Sequence, residues 1–142
     1  MKTGLLAKVS IGAVLTGIAC SEAPSEYTWK TISVTVSAYN SVSWQTDSLH
    51  NIAAWGDTLR PGMKCIAVSG DLIRKGLVYN TPVKIEGLEG MYLVKDRMHP
   101  RWRNKIDIYM GTNVREARTW GRQKRAIQYP VKKDSATNPQ GE

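Results

Sequence analysis

The stretch Ile-Ser-Val-Thr-Val-Ser-Ala-Tyr, residues 32–39, decides the fold class of this protein. Apolar and hydroxyl side chains alternate along it with a period of two, and four of its residues are branched at Cβ. Such alternation is typical of a β-strand with one buried face and one more exposed face. We therefore expect a strand over these residues, in a protein built mainly of sheet.

Five shorter apolar stretches follow along the chain, at 63–68, 82–85, 91–94, 106–110 and 126–131. They are separated by Gly, Pro, Asn and Asp, the residues that favour turns. Several short strands at this spacing predict a small barrel or sandwich. The sequence thus indicates an all-β domain over residues 32–131.

One short helix is predicted after Asn113. Its side chain can cap the helix, and Glu116, three residues later, stands where a capping-box partner belongs. Ala117 and Trp120 share one face of such a helix, and Gly121 can end it. The expected fold class is therefore all-β with a single short helix.

The size and charge of the chain limit the classes of protein that it can represent. Its 142 residues suffice for one small domain, and its 20 Lys and Arg against 12 Asp and Glu favour an anionic partner. Two cysteines are too few for a disulfide framework or for a structural zinc site, which needs about four ligands. The sequence carries no spaced set of metal ligands and no nucleotide-binding loop, so we expect neither a metal nor a cofactor.

The first nineteen residues are typical of an export signal. Two lysines, Lys2 and Lys8, precede an apolar run over 9–19, which is shorter than the about 20 residues of a stable membrane span. Cys20 follows a small residue, as in the lipobox of bacterial lipoproteins. We predict a signal peptide over 1–19, a lipid anchor at Cys20 and a membrane-anchored protein that faces the periplasm. Cleavage after Ala23 with ordinary secretion, and an uncleaved segment, are the alternatives.

The rest of the chain is predicted as a linker over 20–31, the folded domain, and a polar, disordered tail over 132–142. Cys65, inside the apolar run 65–68, is expected to be a small buried hydrophobic residue. We expect three tryptophans in the core and two in loops. The core set is Trp29, Trp55 and Trp120, and the loop set is Trp44 and Trp102.

The segment from Gly90 to Gly111 carries the residues to which we assign chemistry. Asp96 and Asp107 each belong to an apolar strand, and a basic, aromatic loop separates them. Cations there can pair with the carboxylates of an anionic polymer, and a tryptophan ring can stack on a sugar. The residues predicted to bind substrate in this segment are Arg97, Arg101, Trp102, Arg103 and Lys105.

This segment resembles the three-aspartate (3D) domain, a small double-psi β-barrel shared with the membrane-bound lytic transglycosylase A family. The resemblance covers roughly residues 33–130 and implies a six-stranded double-psi barrel. It depends on the strand ending at Asp96 and on four further segments, at 37–41, 66–68, 105–111 and 117–121. The segment 45–47 is also similar to short 3D proteins of some Gram-negative bacteria.

The resemblance implies roles for individual residues. Asp107 matches the catalytic acid of the family, in the second position of its Ile-Asp-Ile strand, and Asp96 matches the preceding aspartate, which would shape the electrostatics of the site. Trp44 and Gln45, near the opening segment, are assigned to substrate binding as well. The first of the three family aspartates aligns with Ser69 here.

The activity so implied is lytic cleavage of the MurNAc–GlcNAc bond of peptidoglycan by a single aspartate acid and base, which forms 1,6-anhydro-MurNAc. The alternative is a non-catalytic glycan-binding or envelope scaffold protein on the same barrel, favoured by Ser69 and by the loss of the family's Gly-Gly loop. Peptidoglycan glycan strands, and the membrane through the anchor, are the expected partners. Nucleic acid is not, because an export signal separates the protein from it.

Overall fold

The computed structural model describes residues 25–41 and 51–133. In chain order the elements are β1 Tyr27–Tyr39, β2 Cys65–Val68, α1 Gly70–Arg74, β3 Pro82–Ile85, β4 Tyr92–Arg97, β5 Lys105–Tyr109, α2 Val114–Trp120 and β6 Gln123–Lys132. The predictions for the signal peptide, Cys20, Trp44 and Gln45 lie outside the described residues, as does most of the predicted tail.

The six strands form one closed barrel in the order β1-β5-β2-β4-β3-β6. The pairs β1–β5 and β2–β4 are parallel, and the other four neighbouring pairs are antiparallel. Closure gives every strand two neighbours and so removes the free edges of the sheet. The predicted fold class, a small all-β double-psi barrel of six strands, is confirmed.

Aliphatic side chains fill the interior of the barrel. Val34 and Val36 of β1 are fully buried there, as the alternation over residues 32–39 predicts, and Ile106 and Ile108 of β5 meet them. Full burial of each such side chain stabilises the fold by about 1.5–3 kcal/mol. The residues between them on these strands, Ser37 and Asp107 among them, are on the outer face of the barrel.

The first strand is longer than predicted and includes residues 27–31, which we assigned to the linker. This part of β1 pairs antiparallel with β6, from Tyr27 opposite Lys132 to Thr31 opposite Gln128. Main-chain hydrogen bonds hold it in place while its side chains stay exposed, so no hydrophobic pattern marked it. Trp29 is 45% exposed, and the expectation that it lies in the core is wrong.

Two helices are present where the sequence predicted one. Helix α2 begins as expected: Asn113 Oδ1 accepts from Glu116 N–H at 3.0 Å, and Gly121 ends the helix with a φ of 66°. Helix α1 was not predicted because five residues are too few to show a helical period. No helix in the described part of the chain has the length and hydropathy needed to cross a membrane.

A second, smaller apolar cluster covers part of the outer face of the barrel. It joins Cys65 and Tyr109 to Ala53 and Leu59, which belong to the segment between β1 and β2. Cys65 is buried, as predicted. Burial raises the pKa of its thiol to about 11, and the nearby carboxylate of Asp96 adds to the effect, so the thiol stays protonated at neutral pH.

Candidate functional site

The two predicted aspartates lie on one outer face of the barrel, in a row across four strands. Ser37 of β1 is the register partner of Asp107 on β5. Asp107 and Asp96 are in turn the register partners of Ala67, which lies on β2 between them. Neighbouring strands are about 4.8 Å apart, so the backbones of the two aspartates are separated by about 10 Å.

A β-bulge in β4 turns Asp96 toward this face. The register between β2 and β4 shifts between Ile66 and Ala67, which leaves Lys95 as the additional residue. Val94 pairs with Ile66 and is fully buried, so simple alternation would have directed Asp96, two residues later, into the same core. Because of the bulge, Asp96 is instead opposite Ala67.

Asp107 is contacted by two side chains. The hydroxyl of Ser37 donates to its Oδ1, and Nζ of Lys105 lies 3.4 Å from the same oxygen. Lys105 is 8% exposed and is the first residue of β5, so it is not part of the loop to which we assigned it. The ion pair therefore fixes Asp107 and gives a buried ammonium its counter-ion.

Asp96 is contacted by the backbone. Its Oδ1 accepts from the N–H groups of Ala54 and Arg97, each at 2.8 Å. The bond to Ala54 attaches the segment around residues 51–60 to β4. Asp96 therefore holds this loop in position.

Tyr39 joins the same face, and the sequence analysis did not select it. Its hydroxyl is buried and has no hydrogen-bond partner among the described residues. Burial raises the pKa of this phenol far above its usual value, and the negative charges of Asp96 and Asp107 act in the same direction. It is thus a protonated donor close to both carboxylates. Tyr39 is two residues after Ser37 in the same strand, so the two side chains lie on one face, and this spacing would have identified it.

The structure divides the predicted basic loop into two groups, and the first surrounds Trp102. Lys105 Nζ lies 4.0 Å from the centre of the indole ring, and Arg101 Cζ lies at 5.0 Å. Arg122, which was not predicted, approaches the ring to 5.9 Å. We call these four residues the Trp102 cluster. Because Lys105 also contacts Asp107, the cluster leads directly to the row of aspartates.

The second group lines a cleft of about 510 Å³, which we call the basic cleft. Its cationic side chains are Arg97 and Arg103, both predicted, and Arg74 of α1, which was not. His99 also lines it, and the remaining lining residues are Ala54, Gly70, Met98 and Pro100. No carboxylate of the described residues lines this cleft or forms a salt bridge with its three arginines.

Residues before β5 determine where Lys105 and Asp107 lie. Ser69 Oγ accepts from Lys105 N–H at 3.1 Å, and Asp71 Oδ2 accepts from Asn104 N–H at 2.9 Å. Desolvation opposes ionisation of Asp71, but the hydrogen bonds from Ser69 and from Asn104 N–H outweigh it and hold its pKa below the ordinary value. Ser69 is therefore a buried anchor of β5.

Trp55 also departs from the expectation that it lies in the core. It is 38% exposed, and its ring packs against that of Tyr79 with centroids 5.5 Å apart. The Tyr79 hydroxyl donates to Asp57 Oδ1 at 3.1 Å, and Lys95 pairs with the same oxygen at 3.2 Å.

Within residues 25–41 and 51–133, no group of three or more His, Cys, Asp or Glu is arranged to hold a metal ion.

No protein-family model matches the chain, and no curated protein matches it. Among solved structures it is similar to the apo form of an expansin from Clavibacter michiganensis, with a TM-score of 0.42 and 19% identity. It is also similar to a mutant of that expansin in complex with cellohexaose, with a TM-score of 0.41 and 16% identity. Each match covers 78% of this chain and 54% of the expansin, so the chain spans about half the length of these proteins.

Proposed function

We propose that this protein binds the glycan strands of peptidoglycan on the outer face formed by Asp107 and the Trp102 cluster. The observation that carries the proposal is the position of Lys105, 3.4 Å from Asp107 Oδ1 and 4.0 Å from the ring of Trp102. A fixed carboxylate accepts hydrogen bonds from sugar hydroxyls, and an adjacent indole ring packs on the C–H groups of a sugar. Arg101 and Arg122 add positive charge that suits an anionic polymer.

The contacts of the two aspartates favour binding over cleavage as the first assignment. Ser37 donates to Asp107 and Lys105 forms an ion pair with it, so both contacts hold this carboxylate in a fixed position. Asp96 is occupied by two backbone N–H groups. Glycan binding requires only the fixed arrangement that these contacts provide.

Lytic transglycosylase activity is the second candidate, and the convergence of Asp107, Asp96 and Tyr39 on one face favours it. In that reaction a protonated Asp107 would transfer its proton to the glycosidic oxygen as the bond from C1 to that oxygen breaks. The carboxylate would then take the proton of the C6 hydroxyl while O6 forms the new bond to C1. The proton count balances, and no water is consumed.

Co-sedimentation with purified sacculi, followed by chromatography of the soluble fragments, separates the two functions. Glycan binding predicts that the protein pellets with sacculi and releases no 1,6-anhydro-muropeptides. Asp107→Asn should then weaken pelleting by about threefold, the scale of one weakened hydrogen bond to the ligand. If the protein is a lyase, anhydro products appear and Asp107→Asn reduces their release by about 10²-fold.

Lys30→Ala with Arg60→Ala is the matched control, because both side chains are exposed and lie outside the site. It should leave pelleting unchanged. A wild-type protein that stays in the supernatant would contradict glycan binding.

The expected lipid anchor at Cys20 belongs to the same proposal, since it would hold the domain against the wall on the periplasmic side. Cys20→Ser should move the protein out of the membrane fraction, and retention there would contradict the anchor.

A further inference from the structure

We infer that the basic cleft binds the peptide stems of peptidoglycan, as short acidic peptides, while the glycan lies at Asp107. The inference rests on the proposed function and assigns a separate ligand group to a separate surface. The folded barrel brings Arg74 of α1 beside two arginines that lie more than twenty residues later in the chain. The three arginines are Arg74 at the end of α1, Arg97 at the end of β4 and Arg103 in the loop before β5.

The charge of the cleft selects an anion. Three guanidinium groups line one cleft, and no carboxylate of the described residues lines it or forms a salt bridge with them. A guanidinium presents a planar set of donors that matches a carboxylate and can bind it through two hydrogen bonds. Arg103 is held in place by the backbone carbonyls of Pro100 and Trp102, which both accept from its Nη1. Arg103 is therefore held in position before a ligand arrives.

The apolar part of the cleft distinguishes a peptide from a simple anion. Met98, Pro100 and Ala54 also line it, and Met98 is largely buried. Phosphate sites in proteins are commonly formed by several backbone N–H groups, whereas a mixed cationic and apolar surface suits carboxylates that alternate with small side chains. A stem peptide has this composition, with methyl groups beside free carboxylates.

His99 adds a hydrogen-bond donor to the cleft. Its Nδ1 accepts from the N–H of Arg101 at 3.2 Å, so the neutral ring carries its proton on Nε2. That N–H is the type of donor that a peptide carbonyl needs. The histidine therefore contributes recognition of the peptide backbone in addition to the charge contacts.

The position of the cleft agrees with a branched ligand. Arg97 follows Asp96 in β4, and the N–H of Ala54 donates to the same Asp96. Asp96 is thus between the cleft and Ala67, and Ala67 is between Asp96 and Asp107. The cleft is therefore two strand spacings or more, about 10 Å or beyond, from Asp107, a distance that an extended peptide branch of about four residues can span.

The test compares intact sacculi with glycan strands whose stems have been removed by an amidase. Arg74→Ala with Arg97→Ala is the test variant, because both side chains are exposed and neither forms a salt bridge in the described part of the chain. Arg103 is left intact because it holds its own loop. We expect the variant to bind intact sacculi about five- to tenfold more weakly than wild type, the scale of two exposed charge pairs. Its binding to stem-free strands should equal that of wild type.

The controls keep this inference separate from the proposed function. Lys30→Ala with Arg60→Ala removes the same charge elsewhere and should change neither affinity. A wild-type protein that binds neither polymer overturns the proposed function. Binding of both polymers with equal affinity, unchanged in the test variant, overturns only the peptide assignment. Equal weakening of the test variant on both polymers also overturns it. Vesicles of anionic phospholipid are measured in parallel. If the test variant loses binding only to these vesicles, the cleft is a site for lipid headgroups and the peptide assignment is wrong.

Discussion

Asp107 and Asp96 occupy equivalent places on either side of Ala67, yet their partners differ in kind. Asp107 is held by two side chains, Ser37 and Lys105, that belong to the outer face of the barrel. Asp96 is held by two backbone N–H groups, one of which belongs to the loop that covers that face. The same residue type on neighbouring parts of one sheet therefore serves two purposes.

This difference shows that the role of a carboxylate can be inferred from the groups that contact it. A carboxylate that accepts from backbone N–H groups shapes the main chain, and removing it leaves donors unpaired in every state of the site. A carboxylate that pairs with side chains can exchange those partners for a ligand. We therefore expect substitutions at Asp96 to change the structure of the loop, and substitutions at Asp107 to change binding and local electrostatics.

The largest expected effect is on the loop. Asp96→Ala removes the acceptor of two N–H groups, so opening of residues 51–60 should become about 10- to 100-fold more frequent. Cys65 packs under this loop with Leu59 and Ala53, and its labelling by iodoacetamide reports the opening. The measurement uses Cys20→Ser chains, in which Cys65 is the single thiol.

Two controls define that result. Asp96→Asn keeps an oxygen acceptor but removes the charge that raises the pKa of the Cys65 thiol, and so isolates the electrostatic part of the change. Asp107→Asn should leave the labelling rate near that of wild type. If Asp107→Asn accelerates labelling as much as Asp96→Ala does, the division between the two aspartates is incorrect.

A second, smaller effect is expected on the stability of the barrel. Asp107→Asn leaves the ammonium of Lys105 almost buried without its counter-ion, and we expect a loss of about 1–2 kcal/mol in the free energy of unfolding. Lys105→Met should recover most of that loss in the double variant, as measured by urea unfolding. Asp96→Asn combined with Lys105→Met should show no such recovery. Additive losses at Asp107 and Lys105 would mean that the ion pair does not couple them.

The smallest expected effect concerns Asp71, which holds β5 and with it Asp107. Its folded-state pKa is lowered, so its charge contributes stability above the unfolded pKa, 3.8, and this contribution is lost as the pH falls through the folded value. Asp71→Asn should therefore cost about 1 kcal/mol at pH 7 and progressively less below pH 4. Thermal unfolding over this pH range measures the difference. If the difference in stability between Asp71→Asn and wild type stays constant with pH, the charge of the Asp71 carboxylate does not contribute.

The amino-acid sequence was enough to predict those strands and helices that depend on residues close together in the chain. The alternation over residues 32–39 placed Val34 and Val36 in the core, the strand at 82–85 has the bounds expected of it, and Asn113 caps α2 as its spacing with Glu116 indicates. Each of these depends on residues within about one strand or one helical turn. Patterns of that range are visible without knowledge of neighbours in space.

The tertiary structure alone decided which residues share the site. Lys95 turns Asp96 outward only because β4 pairs with β2, which precedes it by more than twenty residues. The basic residues near 97–105 separate into the Trp102 cluster, which Arg122 joins, and the basic cleft, which Arg74 joins. Closure of the barrel sets these pairings, and a bulge changes a side chain's face without changing the local pattern. Period and spacing describe each strand alone, so they do not contain this information.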